Sequence, residues 1–197
     1  MTATSGRARG QRIVDAAELL FFERSFDGVG VDEIGKAAGV SGSAIYRHFA
    51  SKDEILAVMF DRAVDSLLML VPTYRDDAHA QLHDLVHAHI GFAQANPRLA
   101  AVWAREQRCL ANPYRRAHQR RQQAYLQIWT NCLSRCYPRR SAEEIATAVR
   151  GVQALLFAEA ARAPSPSPSA ARVLAGIALA GLRSLGADDG ATDSASR

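Results

Sequence analysis

Lysine is almost absent from this chain of 197 residues. Lys36 and Lys52 are the only two lysines, so nearly all of the positive charge comes from arginine. Arginine stays charged at any relevant pH and binds phosphate or carboxylate through a planar fork. The net charge of +4 is compatible with nucleic-acid binding but does not by itself indicate it.

Cysteine and long apolar runs are also scarce. The three cysteines, Cys109, Cys132 and Cys136, are an odd number without the spacing of a zinc site, which is typical of free thiols in a reducing compartment. Arg7, Arg9 and Arg12 precede no apolar stretch, so we expect no signal peptide. No apolar run reaches the ~18 residues of a membrane span. We therefore expect a cytoplasmic protein without a membrane partner.

The sequence motifs of common enzyme classes are missing as well. We find no nucleophile elbow, phosphate-binding glycine loop, metal motif or paired carboxylates. His79, His83 and His87 recur on one helix face, but Asp84 lies on a different face. A polar helix surface is therefore favoured over a metal site. We expect no catalytic residue, no cofactor and no metal.

Apolar residues recur at helical spacing almost throughout the chain, which predicts an all-α fold of about nine helices. The pattern divides the chain into an N-terminal domain (1–52), a C-terminal domain (53–186) and a tail (187–197) that we expect to be disordered. The Pro-Ser stretch 164–168 is typical of an extended linker.

Residues 31–49 have the length and turn of a helix-turn-helix. Gly39 ends the first of its two helices, and Ser41 is suited to cap the second, predicted over 42–49. At 100° per residue, Ile45 and Phe49 share the side that faces the core. The opposite, outward side consists of Ser43, Ala44 and Arg47, with Tyr46 and His48 beside it. Small residues and one arginine allow close entry into a major groove.

Residues 39–49, Gly-Val-Ser-Gly-Ser-Ala-Ile-Tyr-Arg-His-Phe, and 51–56, Ser-Lys-Asp-Glu-Ile-Leu, resemble the DNA-binding signature of TetR-family regulators. The resemblance covers about 9–60. It implies that residues 1–52 form a three-helix DNA-binding domain, that residues 53–186 form a divergent ligand-binding and dimerisation domain, and that the protein is a homodimer. It also implies that Arg7 or Arg9 enters the minor groove from a flexible arm. The implied DNA-binding set is Arg9, Ser41, Gly42, Ser43, Ala44, Tyr46, Arg47, His48 and Lys52. Among these, Ser43, Ala44 and Arg47 would face bases, and Tyr46, His48 and Lys52 would hold phosphates.

The sequence departs from that family pattern in three ways. Gly30-Val31 stands where a Ser or Thr often caps the second helix, and Ala44 stands where Thr or Ser is common. Gly35 within that helix should cost about 1 kcal/mol relative to alanine. Residues 1–60 hold seven Lys/Arg and eight Asp/Glu. DNA binding therefore requires these charges to segregate, with the basic side chains on the DNA side.

The last two predicted helices carry apolar stripes. In TetR-like proteins, the last two helices pair with their copies in a four-helix bundle. The predicted dimer interface is Val149, Val152, Leu156, Val173 and Ile177. The alternative is that the stripes only complete the core of one protomer. A dimer is favoured because a helix-turn-helix usually reads two half-sites related by a two-fold axis.

An effector pocket is expected among the fourth to seventh helices. Its candidate lining is Leu67, Met69, Leu85, Phe92, Trp103, Arg105, Arg108, Tyr125 and Trp129. For each of these, ordinary core packing is the more common role.

Residues 98–140 hold ten arginines and one acid, Glu106. The arginines indicate either solvated helix faces or a site for an anionic ligand. Residues 103–108 are similar to a segment of TetR-type regulators that respond to acyl-CoA thioesters, which implies phosphate contacts by Arg105, Arg108 or Arg116.

The expected function is a ligand-responsive repressor that binds a palindromic operator as a dimer. A small hydrophobic or anionic effector, such as an acyl-CoA, would release it. The alternative is a helix-turn-helix protein without a small-molecule ligand, acting in general DNA binding or protein interaction.

Overall fold

The computed structural model describes residues 2–158 and 167–186, and the predicted tail (187–197) and most of the Pro-Ser linker lie outside this range. The all-α prediction is confirmed, because the described residues form helices and no strands. The helices are α1 (Thr2–Arg24), α2 (Val31–Ala38), α3 (Gly42–Ile45), α4 (Lys52–Leu70), α5 (Ala78–Ala95), α6 (Pro97–Glu106), α7 (Tyr114–Cys136), α8 (Ala142–Ala158) and α9 (Pro168–Arg183), with a 3-10 turn (Gln107–Cys109) after α6.

Local capping explains where several of these helices begin and end. The hydroxyls of Ser41 and Ser51 accept hydrogen bonds from the amides of Ala44 and Glu54, each at 3.2 Å, and so satisfy orphan donors of the first turn. Gly39 ends α2 in the left-handed conformation with φ 68°, which costs glycine little. The end of α2 at Gly39 and the cap of α3 by Ser41 were predicted from the sequence and are confirmed.

The predicted flexible arm is wrong. Helix α1 begins at Thr2, so Arg7 and Arg9 lie on a continuous helix rather than on an extended segment. A Cβ placed on Gly10 would be 3.9 Å from Cζ of Phe49. The N-terminal half of α1 therefore passes beside the end of the helix-turn-helix. Arginines on it can reach DNA only as helix side chains.

Helix α4 belongs to both halves of the chain. Its buried residues include Ile55, Phe60 and Leu67, each fully excluded from solvent. It packs on α1 of the N-terminal half and on α7 of the C-terminal half. One hydrophobic core therefore continues from α1 to α9 within the described residues. None of the described helices is long and apolar enough to cross a membrane.

Polar contacts join α4 to α7 along their exposed edge. His118 Nδ1 lies 3.1 Å from Oδ1 of Asp61, and Arg121 donates to both carboxylate oxygens of Asp65 at 2.5 and 2.6 Å. The Arg121–Asp65 pair is nearly half exposed, so it adds little to stability. It does fix the register of α7 along α4.

Candidate nucleic-acid interface and regulatory half

Helices α2 and α3 approach each other at Gly35. A Cβ on Gly35 would lie 3.0 Å from the carbonyl oxygen of Val40 and 3.4 Å from Cδ1 of Ile45. Any larger residue would push the turn away from α2. The glycine that looked like a helix defect in the sequence is therefore a packing requirement of the helix-turn-helix.

The start of α2 keeps half of a capping box although Gly30 has no capping side chain. The Glu33 carboxylate accepts a hydrogen bond from the amide of Gly30 at 2.9 Å, and Arg24 donates to the same carboxylate at 2.8 Å. The hydrogen bonds from Arg24 and then from Gly30 lower the pKa of Glu33. The missing Ser or Thr thus costs one cap interaction rather than both.

The predicted orientation of the recognition turn is confirmed at its main positions. Ile45 and Phe49 are 1% and 7% exposed and belong to the core. Ser43 and Arg47 are exposed, and Tyr46 is 59% exposed. Within the described residues, the Arg47 side chain has no hydrogen bond or ion pair, so its guanidinium is free to bind an external partner. That this partner is DNA stays a prediction.

Ala44 and Gly42 do not match the predicted outward face. Ala44 is only 5% exposed, because α3 is a single turn and its last two residues, Ala44 and Ile45, both face inward. Gly42 is half-buried, with the Asp32 carboxylate over the place where a Cβ would stand. Prediction of a base contact by Ala44 is wrong, and Gly42 can offer only its backbone.

The other predicted contact residues divide by role. Ser41 is exposed, but its hydroxyl is occupied as the α3 cap and lies 3.0 Å from the hydroxyl of Ser43. His48 is half-buried and Arg9 is half-buried on α1. The exposed surface for a nucleic acid is therefore narrower than predicted and centres on Ser43, Tyr46 and Arg47.

Lys52 does not extend towards a phosphate. Its ammonium group donates to the carbonyl oxygens of Phe26 and Val29 at 2.8 and 3.0 Å and lies 4.1 Å from the centre of the Phe26 ring. The side chain holds the loop between α1 and α2 against the start of α4. Two of its three donors are used in the fold, so the predicted phosphate role is wrong.

We expect Lys52→Ala to destabilise the protein rather than to remove a DNA contact. It would leave two loop carbonyls without their charged donor, which costs about 1–3 kcal/mol of unfolding free energy. Thermal or urea unfolding measures this loss. Lys36→Ala, which removes an exposed lysine on α2, is the control and should unfold like the parent. Equal stability of the Lys52→Ala and Lys36→Ala variants would refute the structural role.

Most of the residues predicted to line an effector pocket belong to the hydrophobic core instead. Leu67, Leu85 and Phe92 are fully buried and line neither of the two cavities described below. Tyr125 and Trp129 are also buried. Met69 lies at the opposite extreme, 82% exposed near the end of α4. Of the predicted aromatic lining, Trp103 is the member that reaches a cavity.

Arg105 is also misplaced in the prediction. Its guanidinium donates to the carbonyl oxygen of Phe22 at 2.9 Å and lies 5.5 Å from the centre of that ring. It therefore satisfies a carbonyl near the C-terminus of α1, where a cation is favourable. Arg105 connects α6 to α1 and does not point into a pocket, whereas Arg108 lines a cavity.

A buried histidine lies at the centre of the C-terminal half. His89 on α5 is fully buried, with Nδ1 2.7 Å from the hydroxyl of Tyr125. Burial lowers the pKa of His89 to about 3. The ring is therefore neutral at physiological pH and packs as an aromatic core residue beside Trp129 and Phe157.

Two adjoining cavities lie between α6, the 3-10 turn, α7 and α8. The larger, of about 550 Å³, is lined by Trp103, Ala104, Gln107, Gln122, Leu126, Arg150, Gln153, Ala154 and Phe157. The smaller, of about 370 Å³, is lined by Gln107, Arg108, Leu110, Arg115, His118, Gln119 and Gln122. The sequence prediction missed the glutamines, because polar residues that line a cavity leave no apolar period.

The predicted dimer interface combines two different surfaces. Val149, Val152 and Leu156 are 2–6% exposed and pack mainly within the protomer, so they offer little free surface to a partner. Val173 and Ile177 on α9 are 59% and 53% exposed. An apolar depression of about 220 Å³ beside them is lined by Ala148, Gly151, Val152, Leu155, Ile177, Ala178, Gly181, Leu182 and Leu185.

Comparison with known proteins agrees with this geometry. Residues 13–59 match the family model described as bacterial regulatory proteins, tetR family. A transcriptional activator, FasR of Mycolicibacterium smegmatis, is 42% identical over 60 residues, which cover 30% of this chain and 27% of FasR. The regulator EthR of Mycobacterium tuberculosis is 33% identical over 73 residues, covering 37% and 34%. The chain thus spans about a third or less of the length of these relatives.

Solved structures resemble the chain over most of its length. PfmR of Thermus thermophilus, a TetR family regulator, has a TM-score of 0.73 at 23% identity and covers 85% of this chain and 97% of its own. AibR, solved with isovaleryl coenzyme A and operator DNA, has a TM-score of 0.75 at 14% identity and covers 87% and 96%. Identities this low show a common fold alone. Residues 13–59 therefore carry the sequence similarity to the tetR family of bacterial regulatory proteins, and the described chain shares the fold of the TetR family regulator PfmR.

Proposed function

We propose that this protein is a transcription regulator that binds a palindromic operator as a homodimer and releases it when a small molecule binds the C-terminal half. The recognition turn carries the proposal. Its apolar side is fixed in the core by Ile45 and Phe49, while Ser43, Tyr46 and Arg47 face outward. A rigid turn with an unpaired arginine suits bidentate recognition of a guanine in the major groove.

Two of the acids in the first 60 residues, which are not net basic, are held in local contacts. Glu33 is paired with Arg24 at the start of α2, and Glu54 accepts from the amide of Ala50 at the start of α4. Local hydrogen bonds thus occupy these acids. Arg47 remains unpaired on the outer face, where it can contribute to binding a polyanion.

The cavities beside α7 support a small-molecule effector of hydrophobic or anionic character, with acyl-CoA thioesters among the compounds to be tested. AibR, whose fold this chain shares, was solved with isovaleryl coenzyme A. Release from the operator requires that the effector bind the non-binding arrangement of the dimer more tightly than the binding arrangement. An operator that overlaps a promoter would make the protein a repressor.

Footprinting of the DNA around its own gene tests the proposal. A regulator protects one palindromic segment in which two half-sites are separated by about one helical turn or a multiple of it. Protection that spreads without sequence preference would instead indicate a general DNA-binding protein. The absence of any protection would indicate a protein-interaction module.

Arg47→Ala is expected to weaken binding to that operator by about 1–3 kcal/mol, which is a factor of roughly 5 to 150, and to relax the preference for one base pair in each half-site. Titration of operator and single-base variants by electrophoretic mobility shift measures both effects. Arg139→Ala removes an exposed arginine in the turn after α7 and should bind like the parent. Unchanged operator affinity of the Arg47→Ala variant would show that this side of the turn does not read DNA.

A further inference from the structure

The two cavities beside α7 form one divided site. Gln107 and Gln122 line both of them, so the side chains of these residues stand at the junction. The larger compartment is walled by the apolar side chains of Trp103, Leu126 and Phe157. The smaller compartment contains polar groups, with Leu110 as its one apolar side chain. One end of the combined site therefore suits an apolar body and the other suits a polar head.

Two buried nitrogen atoms in this lining have no hydrogen-bond partner: Nε2 of His118 in the smaller compartment and Nε2 of Gln153 in the larger. His118 is only 4% exposed, and its other ring nitrogen is held by Asp61 at 3.1 Å. Buried polar atoms are normally paired, and leaving one unpaired is costly. Both atoms therefore indicate a polar ligand group that completes their hydrogen bonds.

The charged side chains that line the two compartments are all arginines. Arg108 and Arg115 line the smaller compartment, Arg150 lines the larger one, and neither compartment is lined by a carboxylate. Arg115 donates through Nε to the carbonyl oxygen of Leu110 at 2.7 Å, which fixes its position and leaves its terminal nitrogens for other acceptors. Arg108 has no hydrogen bond or ion pair within the described part of the chain. The lining is thus electropositive and suited to an anion.

The geometry points to an amphiphilic organic anion as the ligand of this divided site. Its acyl or aryl body would pack against Trp103 and Phe157, a polar linkage would meet the glutamines at the junction, and its carboxylate or phosphate would bind beside Arg108 and His118. The regulatory consequence of binding depends on the function proposed above, but binding itself does not depend on DNA.

Calorimetric titration of the full chain with three eight-carbon probes tests the ligand class. We expect octanoate or octanoyl-CoA to bind. Octanamide, which has the same chain without the charge, should bind at least about tenfold more weakly. Binding of octanoate would identify a carboxylate as the recognised anion, and binding of octanoyl-CoA alone would identify the phosphates. Equal affinity for octanamide, or no heat with octanoate and octanoyl-CoA, would overturn the inference.

Two variants locate the site within the molecule. Arg108→Gln should weaken the charged probe about tenfold and leave octanamide unaffected. Gln153→Met keeps the size of the side chain and removes the unpaired nitrogen. It should weaken the binding of octanoyl-CoA, whose polar linkage offers an acceptor to that nitrogen, while leaving the melting temperature of the free protein unchanged or raised. Arg116→Gln, at an exposed arginine of α7 that lines neither compartment, should bind like the parent. Loss of affinity in the Arg116→Gln variant equal to that in the Arg108→Gln variant would refute the location.

The same protein samples separate this inference from the proposed function. Operator binding by a protein that binds none of the three probes would refute the inference and leave DNA recognition intact. Probe binding that leaves operator affinity unchanged would support the site, and would refute effector control by this class of ligand. Probe binding by a protein that protects no DNA would support the site and refute the regulator.

Discussion

Replacing Ile177 by glutamate is expected to give a monomer that no longer binds its operator at concentrations at which the parent does. Ile177 is 53% exposed and Val173, one turn earlier on α9, is 59% exposed. Together with the apolar depression on α8 and α9, they form an apolar face that a protomer leaves open to solvent. Such faces are commonly buried between subunits.

The effect should be large because a two-fold interface contains each residue twice. Two carboxylates would be brought from water into the apolar contact without a partner, and an unpaired buried charge costs about 3–5 kcal/mol. We expect the dimer dissociation constant to rise at least about a hundredfold, given 1.4 kcal/mol for each factor of ten. Sedimentation velocity measures the dissociation, and mobility shift measures the accompanying loss of operator binding.

Two variants control for the added charge and for simple damage to the fold. Met69→Glu places the same carboxylate at an 82% exposed position on α4 and should remain dimeric. Ile177→Leu keeps the apolar contact and should do so as well. If the Ile177→Glu variant sediments as a dimer, the subunits associate through another surface.

The apolar period predicted helices well but did not separate the two kinds of burial on α8 and α9. Leu156 and Ile177 both stand at core spacing in the sequence, yet one is 2% exposed and the other 53%. An apolar helix face that packs within the protomer and one that is exposed on the protomer surface show the same 3.6-residue period. Only the position of the neighbouring helices distinguishes them.

The recognition turn was predictable where residues are strongly apolar and failed where the helix was shorter than assumed. Ile45 and Phe49 are buried as expected. Ala44 is buried as well, because α3 ends at Ile45 and both of its last two residues face inward. Alanine has little apolar surface, so the sequence alone does not indicate whether it faces the core or the solvent.

Contacts between distant segments were the main source of the remaining errors. Lys52 bonds to carbonyls of residues 26 and 29, and Arg105 bonds to the carbonyl of Phe22. Both basic residues were assigned to external anions because their partners are backbone atoms, which every sequence position carries. Arg47, by contrast, is exposed as predicted, because its neighbours in the turn determine its direction.

Phe60→Ala is expected to cause the largest loss of stability, about 3–5 kcal/mol. Phe60 is fully buried in α4, with its ring centre 6.2 Å from that of Trp103 on α6 and 5.5 Å from that of His118 on α7. Truncation would open a cavity where three helices meet, and the packed side chains around it can close it only in part. For a chain of this length the melting temperature should fall by roughly 10 °C.

The same variant shows whether the two predicted domains unfold together. Their boundary, 1–52 and 53–186, falls at the first turn of α4, whose core is shared by α1 and α7. We therefore expect far-UV circular dichroism and the fluorescence of Trp103 and Trp129 to report one coincident transition, shifted to lower temperature. Phe60→Leu retains most of the packed volume and should lose only about 1 kcal/mol. A fluorescence transition that moves while much of the helical signal melts at the parent's temperature would contradict this, because it would mean that the helix-turn-helix folds independently of the core below it.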